Sequence, residues 1–249
     1  MLIQIVSYKS ALSTSERIRL TASIINSSVA DLILFSGHTL DRSCDIKRLN
    51  QKISNKKSIA VIEVWQNYIS EINPVENSLF LLIDGVVKNL YTHQLFTDSK
   101  NINEYPELGE YLLSELETRR KFSVCDRNII VIQCGENNIL RNLQSDGNKA
   151  TFRFYNNIEL NKRFTSILDN TDIILNPQHS PMGNQGKMRK RRDFFSANNR
   201  AYFSTANFTG DKDILNKSLQ YACINGIEQE HVKIELGIKN SYISRYYLV

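Results

Sequence analysis

The chain has 249 residues, 41% of them apolar, which is enough for one large domain or two small ones and excludes a disordered or disulfide-stapled chain. Its four cysteines are sparse, no N-terminal run resembles a secretory signal, and no apolar stretch approaches the roughly 20 residues of a membrane helix, so we expect a cytoplasmic protein without membrane contact. The net charge of +5 is mild and lies largely in one segment, Lys187 to Arg192, so composition predicts no long-range field for nucleic acid.

The first 35 residues predict a strand, a helix and a second strand. Leu2 to Val6 alternates and is rich in β-branched residues, which is typical of a strand. Ser13 precedes an acidic first turn, and apolar residues then recur at helical spacing up to Ala30. Asp31 to Phe35 is a short apolar run of the kind found in a strand that is buried on both faces. These segments form the opening of a βαβ unit.

The next segments predict a polar helix and a β-hairpin. Residues 45–52 fit a helix, and the apolar runs at 59–64 and 79–83 fit strands. Asp84-Gly85 lies between two apolar runs, which is the strongest short-range signal for a hairpin turn. Residues 86–91 should therefore return antiparallel to the strand before them.

The rest of the chain continues this alternation of strands and helices. The predicted elements are a helix at 107–117, strands at 129–132 and 173–175, a helix from about 187 to 199, a strand at 201–206 and one or two strands within 232–249. The four prolines fall in loops or at strand ends, and no repeat or linker divides the chain. We therefore predict a single α/β domain over residues 1–249.

Side chains that can act in catalysis or binding follow four of the predicted strands. The four strand-end groups are Ser36-Gly37-His38, Thr92-His93-Gln94, Cys134-Gly135-Glu136 and Pro177-Gln178-His179. Three of the four histidines and one of the four cysteines lie in them. Polar groups for binding and catalysis gather where the strands of layered α/β folds end, so these residues converge if their strands lie side by side and run the same way.

Two kinds of chemistry fit such a cluster. A lone cysteine is more often a small buried apolar residue, but a thiol beside an imidazole can be activated for nucleophilic attack. Two or three imidazoles and a thiol can instead bind zinc or another borderline metal. No pair of these residues has the short spacing of a structural zinc site, so metal binding has the lower weight and we expect neither metal nor cofactor.

The order of these segments resembles the nitrilase, or carbon–nitrogen hydrolase, superfamily over about residues 1 to 210. The family has a "DLIvFPE" strand, an "i-d-x-G" hairpin before "Y-x-K-x-h-L-F", a strand ending "I-C-x-E/D", then "aDiilnP" and "A-x-E-N-x-x-Y". The matching stretches here are 31–35, 82–85, 90–96, 131–137, 171–177 and 197–202, with Asn207 closing the next strand. The resemblance implies an αββα sandwich that pairs through its helices into a homo-oligomer.

The family catalyses with a Glu, Lys and Cys triad, of which this chain matches one member. Cys134 matches the nucleophile, and Glu136 the acidic residue that commonly follows it. Ser36-Gly37 stands where the family has Pro-Glu, and Thr92 or His93 stands where it has Lys. The base and the cation of the usual mechanism are therefore missing, and each contributes orders of magnitude to the rate.

Two histidines lie beside the vacated positions. His38 is next to the lost Glu and His93 is at or next to the lost Lys. The resulting hypothesis is a divergent cysteine hydrolase or transferase that acts on the amide or nitrile bond of a small molecule. Its candidate catalytic residues are Cys134, His93, His38 and Glu136, and its candidate substrate-binding residues are His179, Gln178 and Asn137.

Two alternatives belong to other functional classes. In a catalytically impaired pseudoenzyme, the sandwich is kept and serves as a binding or scaffold protein. In a nucleic-acid-binding protein, the basic segment from Lys187 to Arg192 acts with the nearby aromatic residues Phe194, Phe195 and Tyr202. A charge run on a helix is most often a solvated face, so nucleic-acid binding ranks third.

Overall fold

The computed structural model describes residues 1–66, 76–181, 185–210, 219–230, 232–234 and 239–248. Its helices are α1 (Thr14–Ser27), α2 (Asp45–Asn50), α3 (Ser99–Glu104), α4 (Glu107–Glu117), α5 (Ile158–Asp169) and α6 (Gln185–Ser196). Its strands are β1 (Leu2–Tyr8), β2 (Leu32–Phe35), β3 (Ile59–Gln66), β4 (Glu76–Ile83), β5 (Val86–His93), β6 (Lys121–Val124), β7 (Arg127–Val131), β8 (Leu140–Leu143), β9 (Lys149–Phe152), β10 (Ile173–Pro177), β11 (Ala201–Thr205), β12 (Gln220–Ile224), β13 (Ile227–Glu228), β14 (Val232–Ile234) and β15 (Ser241–Tyr247).

The strands form two large sheets and one two-stranded ribbon. The first sheet has the order β14-β15-β1-β2-β3-β4-β5, with β1, β2 and β3 parallel. The second sheet has the order β13-β12-β11-β10-β7-β6, with β7, β10 and β11 parallel. The ribbon pairs β8 with β9. The strand-end groups after β2 and β5 therefore belong to one sheet, and those after β7 and β10 to the other.

Three apolar clusters define four layers. The central cluster joins the inner faces of the two sheets, with Ile5 and Leu34 from the first and Val131 and Leu175 from the second. One outer cluster packs α1 and α2 on the first sheet, and the other packs α4, α5 and α6 on the second. Burial of this apolar surface is the main force that holds the layers together. The predicted αββα sandwich is confirmed.

Local signals account for the elements that the sequence predicted. Ser13 and Glu16 form a reciprocal capping box at the start of α1, each side chain accepting from the other's backbone N–H. Asp84 and Gly85 both have positive φ, 55° and 78°, as the tight turn between the antiparallel strands β4 and β5 requires. The βαβ opening and the hairpin are both present.

Other elements differ from the prediction. Helix α6 begins at Gln185 and ends at Ser196, earlier than predicted, and Asn198 and Asn199 then take left-handed conformations that end helical geometry. The ribbon β8-β9 and helix α5 lie in a stretch for which no element was predicted. Over the described residues, no helix is both long and apolar enough to cross a membrane.

Candidate functional site

The candidate site lies where β2 and β3 of the first sheet meet β7 and β10 of the second. The backbone N–H of Gly37, just past β2, donates to the carbonyl of Gln178, just past β10, at 2.9 Å. The side chain of Asn207 closes the same junction, because its amide donates to the carbonyls of Gly37 and His179. Two of the four strand-end groups are thus fastened to each other across the sandwich.

Glu63 is the centre of this junction. It is fully buried in β3, and its Oε1 lies 2.7 Å from His179 Nε2 and accepts the backbone N–H of His38 at 2.9 Å. The amide of Gln133 donates to Oε2 at 2.8 Å. Burial alone would raise the pKa of Glu63, but His179, His38 and these hydrogen bonds outweigh it and lower the pKa to about 2. The carboxylate is therefore ionised at neutral pH.

The rings of His38 and His179 stack beside this carboxylate. Their centroids are 3.8 Å apart. The ring of Trp65 also stacks on His38, with 5.3 Å between the two centroids. Burial and the neighbouring His179 lower the pKa of His38 to about 4, so its imidazole is neutral at pH 7. His38 has a φ of 56°, a left-handed conformation that Arg17 helps to hold by donating to its carbonyl. Strain of this kind persists where the surroundings fix the backbone.

Cys134 follows β7 and lies close to the same junction. Its sulfur accepts backbone N–H groups of His179 and Ser180, and the residue is partly exposed. Burial of the sulfur, with smaller contributions from the carboxylates of Glu63 and Glu136, raises the pKa of the thiol to about 12. The resting thiol is therefore neutral, and chemistry at this sulfur needs a base that takes its proton during the attack.

Glu136 forms a buried ion pair with Arg120, and both side chains are completely buried. The carboxylate also accepts the backbone N–H groups of Leu95 and Gln133, each at 2.8 Å. Arg120 completes its own set with Thr92 Oγ1 and the carbonyl of His93. Glu136 thus ties the turn that carries Cys134 to the end of β5.

Loss of Arg120 should cost much more stability than loss of its neighbour Arg119. Arg120→Ala leaves the Glu136 carboxylate buried without its cation, which typically costs about 3–5 kcal/mol. Arg119 is 55% exposed in its ion pair with Glu115, so Arg119→Ala should cost about 0–1 kcal/mol. Urea denaturation of the two variants measures the difference. Equal losses would show that the buried pair does not hold this turn.

His93 lies at the end of β5 and is not a member of the cluster of His38, Glu63 and His179, whose ligand atoms lie within 4.8 Å of one another. It ends β5 at the edge of the first sheet, opposite Ser78 of β4. Its carbonyl accepts from Arg120, so its backbone lies next to the buried Arg120–Glu136 pair. Of the four candidate catalytic residues, His38 and Cys134 are near Glu63 and His179, whereas Glu136 and His93 are joined through Arg120.

The candidate substrate-binding amides belong to a buried network around Asn176. Its Oδ1 accepts from Asn137 at 2.8 Å, from Gln178 at 2.6 Å and from the hydroxyl of Tyr202 at 2.9 Å. Asn137 also donates to the carbonyl of Cys134. Over the described residues, the side-chain oxygens of Asn137 and Gln178 are buried without a partner within hydrogen-bond distance, although buried acceptors usually find one.

Sequence reasoning missed Glu63, although a signal was present. It is the one charged residue in the otherwise apolar run from Ile59 to Trp65, and a buried carboxylate is costly unless it is paired. A Cβ on Gly37 would lie 3.0 Å from Glu63 Oε1 and 2.3 Å from His179 Cδ2. The space next to position 37 is therefore filled by a carboxylate from the neighbouring strand and by an imidazole.

Gly37→Ala should push the His179 ring out of its place. The added methyl overlaps the ring, and overpacking of this kind typically costs about 1–3 kcal/mol. Gly210 is the matched control, because a Cβ there meets no atom of the described residues within 4 Å. Gly210→Ala should change the stability by less than about 0.5 kcal/mol. Thermal unfolding of both variants checks this, and an unchanged Gly37→Ala would contradict the packing of His179 against position 37.

The basic segment is divided between structure and solvent. Arg192 is buried with its guanidinium 3.5 Å from the centre of the Tyr221 ring, and Arg191 donates to the side chains of Asn142 and Asn138. Three cations of the same helix are exposed: Lys187, Arg189 and Lys190. Two of the five cations of the segment therefore anchor α6, and the other three lie at the surface.

Comparisons with solved structures identify the fold. A glutamine-dependent NAD(+) synthetase from Cytophaga hutchinsonii matches with a TM-score of 0.57 and 10% identity over 99% of this chain, which spans 42% of that protein. A variant of the amidase from Nesterenkonia sp. AN1, with acrylamide added at its active-site cysteine, matches with a TM-score of 0.57 and 9% identity over 100% of this chain and 93% of that one. A carbon–nitrogen hydrolase superfamily protein from Xanthomonas campestris, with an arsenic adduct in its active site, has a TM-score of 0.52 and 10% identity over 99% and 91% of the two chains.

The sequence itself gives no further relative. No protein-family model matches it, and a comparison with curated proteins finds no significant match. At identities of 9–10% the structural likeness shows the fold alone. The chain has the nitrilase, or carbon–nitrogen hydrolase, fold.

Proposed function

We propose that the protein is a divergent cysteine-dependent hydrolase or transferase that acts on the carbon–nitrogen bond of a small amide or nitrile. Cys134 is the nucleophile, His179 is its base, and Glu63 orients His179. The observation that carries the proposal is the 2.7 Å contact between Glu63 Oε1 and His179 Nε2. The backbone N–H of the same His179 donates to the Cys134 sulfur. A base held by a third group next to a nucleophile is the general arrangement of covalent catalysis.

The proposed reaction on an amide has two balanced steps. In the first, His179 takes the proton of the Cys134 thiol as the sulfur attacks the carbonyl carbon, and it returns that proton to the departing amine, which leaves a thioester. In the second, His179 takes a proton from water, the hydroxide attacks the thioester, and the thiol is regenerated with release of the acid. Glu63 stabilises the imidazolium that exists between these transfers.

Other residues of the junction have supporting roles in this scheme. The neutral ring of His38, stacked on His179 at 3.8 Å, limits the rotation of the base. Asn137 and Gln178 are positioning residues in this scheme, because both are fully buried and donate to Asn176, and Asn137 also donates to the carbonyl of Cys134. Glu136 is a positioning residue, because its bonds to Arg120 and Gln133 fix the turn that carries the nucleophile. His93 takes no step in this scheme, and its carbonyl accepts from Arg120 of the buried pair.

The test of the proposal is ammonia release from a panel of short amides and nitriles. The wild-type protein should release ammonia from at least one member, with an initial rate proportional to enzyme, and Gly210→Ala should do the same. A panel with no turnover by well-folded protein would favour the pseudoenzyme, in which the fold serves only for binding or as a scaffold. A homo-oligomer paired through the helical faces remains a prediction, which analytical ultracentrifugation checks.

Nucleic-acid binding is a second candidate that keeps one observation in its favour. Lys187, Arg189 and Lys190 are exposed on α6. The guanidinium of Arg153 lies close to that of Arg191, because its charge adds to burial in lowering the pKa of Arg191. Phosphate neutralisation makes binding steeply dependent on salt. Retention on single- or double-stranded DNA that falls with salt, and falls further when the three exposed cations become Ala, would support it.

A further inference from the structure

Three metal-binding side chains meet at one point of the candidate site. His38 follows β2, Glu63 lies within β3, and His179 follows β10 of the other sheet. One ligand atom from each lies within 4.8 Å of the corresponding atom of the other two. The three ligand residues are far apart in the sequence, because three separate strands or strand ends supply them.

The ring nitrogen Nε2 of His38 is buried and, over the described residues, has no partner at hydrogen-bond distance and angle. The Asn77 side chain lies near this ring, and the backbone of His38 bonds Glu63 and Arg17. A buried, unpaired ring nitrogen costs free energy, and each such group in a folded protein calls for an explanation. The centroid of the His38 ring lies 3.8 Å from that of His179. Ligand atoms of both imidazoles lie within 4.8 Å of the Glu63 carboxylate.

Hydrogen bonds from neighbouring residues fix these three ligand side chains, as outer contacts do around a bound metal. Gln133 donates to Glu63 Oε2, which leaves Oε1 directed at the histidines. The Asn77 amide lies 3.1 Å from His179 Nε2 and is itself fixed by Gln94 at 3.0 Å. The carbonyl of His38 is held by Arg17, which fixes the left-handed backbone that turns this imidazole inward. Outer contacts of this kind orient ligands and raise metal affinity.

We propose that His38, Glu63 and His179 form a site for a borderline divalent transition metal, with Zn²⁺ as the best fit. Imidazole nitrogen and carboxylate oxygen are ligands that zinc takes together, and two histidines with one glutamate is a known ligand set for sites that keep a fourth position open. The hard cations Mg²⁺ and Ca²⁺ prefer oxygen ligands throughout and should bind weakly.

Metal binding and hydrolysis should exclude each other at this site, a consequence that rests on the proposed function. The metal would take the His179 nitrogen and the Glu63 oxygen that hold the base in place. Zinc would then switch the enzyme off reversibly, and a chelator would switch it on. Metal affinity is measurable without any substrate, so a failure of the hydrolase proposal would leave the metal site to be judged by itself.

The experiment is a zinc titration of the chelator-treated full chain against a chromophoric competitor. We expect one tight equivalent of Zn²⁺ and no comparable uptake of Mg²⁺. His38→Asn is the main variant, because Asn tolerates the left-handed backbone and removes the imidazole. It should weaken zinc binding on the order of 100-fold or more, as should His179→Ala. His93→Asn is the matched control, since it removes an imidazole outside the cluster and should leave the affinity unchanged.

Cobalt gives a second readout that does not depend on the competitor. Co²⁺ bound to the wild-type protein should show the visible absorption of a four-coordinate site, and His38→Asn should lose it while keeping its far-ultraviolet circular dichroism. Zinc binding that is weak in the wild type, or that is equally tight in His38→Asn, would overturn the proposal. Equal losses in His38→Asn and His93→Asn would overturn it as well.

Discussion

Cys134→Ala should reduce turnover of any accepted amide or nitrile by about 10⁴-fold or more, because it removes the only atom that the proposed mechanism bonds to the substrate. The fold should be unaffected, since the residue as a whole is partly exposed and Ala is small enough to fill its place. The rate of ammonia release by wild type and variant, at equal concentrations of folded protein, measures the effect.

Cys125→Ala is the matched control for this result. Cys125 is an exposed thiol in the turn between β6 and β7, so it shares the chemistry of Cys134 without its surroundings. It should keep the full rate. A Cys134→Ala protein that retains more than about a tenth of the wild-type rate would remove the nucleophile from the mechanism, because loss of a covalent nucleophile is far more damaging.

Glu63→Gln should lower the rate by about 10³ to 10⁴-fold while nearly preserving the shape of the site. The amide oxygen can still accept the N–H of His38, but it carries no charge to stabilise a protonated His179. The loss should appear in kcat more than in KM, because the charge acts on the transition state. Steady-state kinetics on the best substrate of the panel separates the two parameters.

Two further variants separate this charge effect from a structural one. Glu63→Asp keeps the charge but shortens the side chain, so it should recover part of the lost rate. Glu115→Gln removes a carboxylate that pairs with Arg119 at the surface and should leave both parameters unchanged. If Glu63→Gln and Glu63→Asp were equally impaired, the length of the side chain and not its charge would be what the site requires.

The elements with strong local signals could be predicted from sequence. The capping box at Ser13, the buried run into Phe35 and the Asp84-Gly85 turn each depend on residues that are close in the chain. The helix at Glu107–Glu117 was predicted with its observed bounds, because its apolar face repeats clearly. The order of these elements predicts an α/β domain, and the resemblance of its segments to the nitrilase superfamily implies the αββα fold.

The candidate site depends on contacts that no local pattern contains. His38 and His179 are brought together by the face-to-face packing of two sheets, which sequence periodicity does not specify. Glu63 lies inside a strand and not at its end, so a search of strand ends passes over it. The partner of Glu136 is Arg120, whose role follows from burial and not from its position in a motif.

The site also differs chemically from the triad that the resemblance implies. A carboxylate is present near Cys134, but it comes from Glu63 on β3, while Gly37 stands at the family's Glu position and leaves room for it. The thiol pKa of Cys134 is raised and not lowered, so no preformed thiolate is expected. The proposed mechanism therefore depends on His179 and Glu63 acting together on a neutral thiol.

The most direct test of this account is the site at which acrylamide modifies the intact protein at neutral pH. Peptide mass spectrometry after brief exposure reports each cysteine separately. We expect Cys134 to be modified before the exposed thiols Cys44 and Cys125, and to lose this advantage in Glu63→Gln. A thiol whose pKa is raised reacts faster than more accessible thiols only if a neighbouring base takes its proton. Modification of Cys44 and Cys125 with Cys134 spared would contradict the central claim that this thiol is activated.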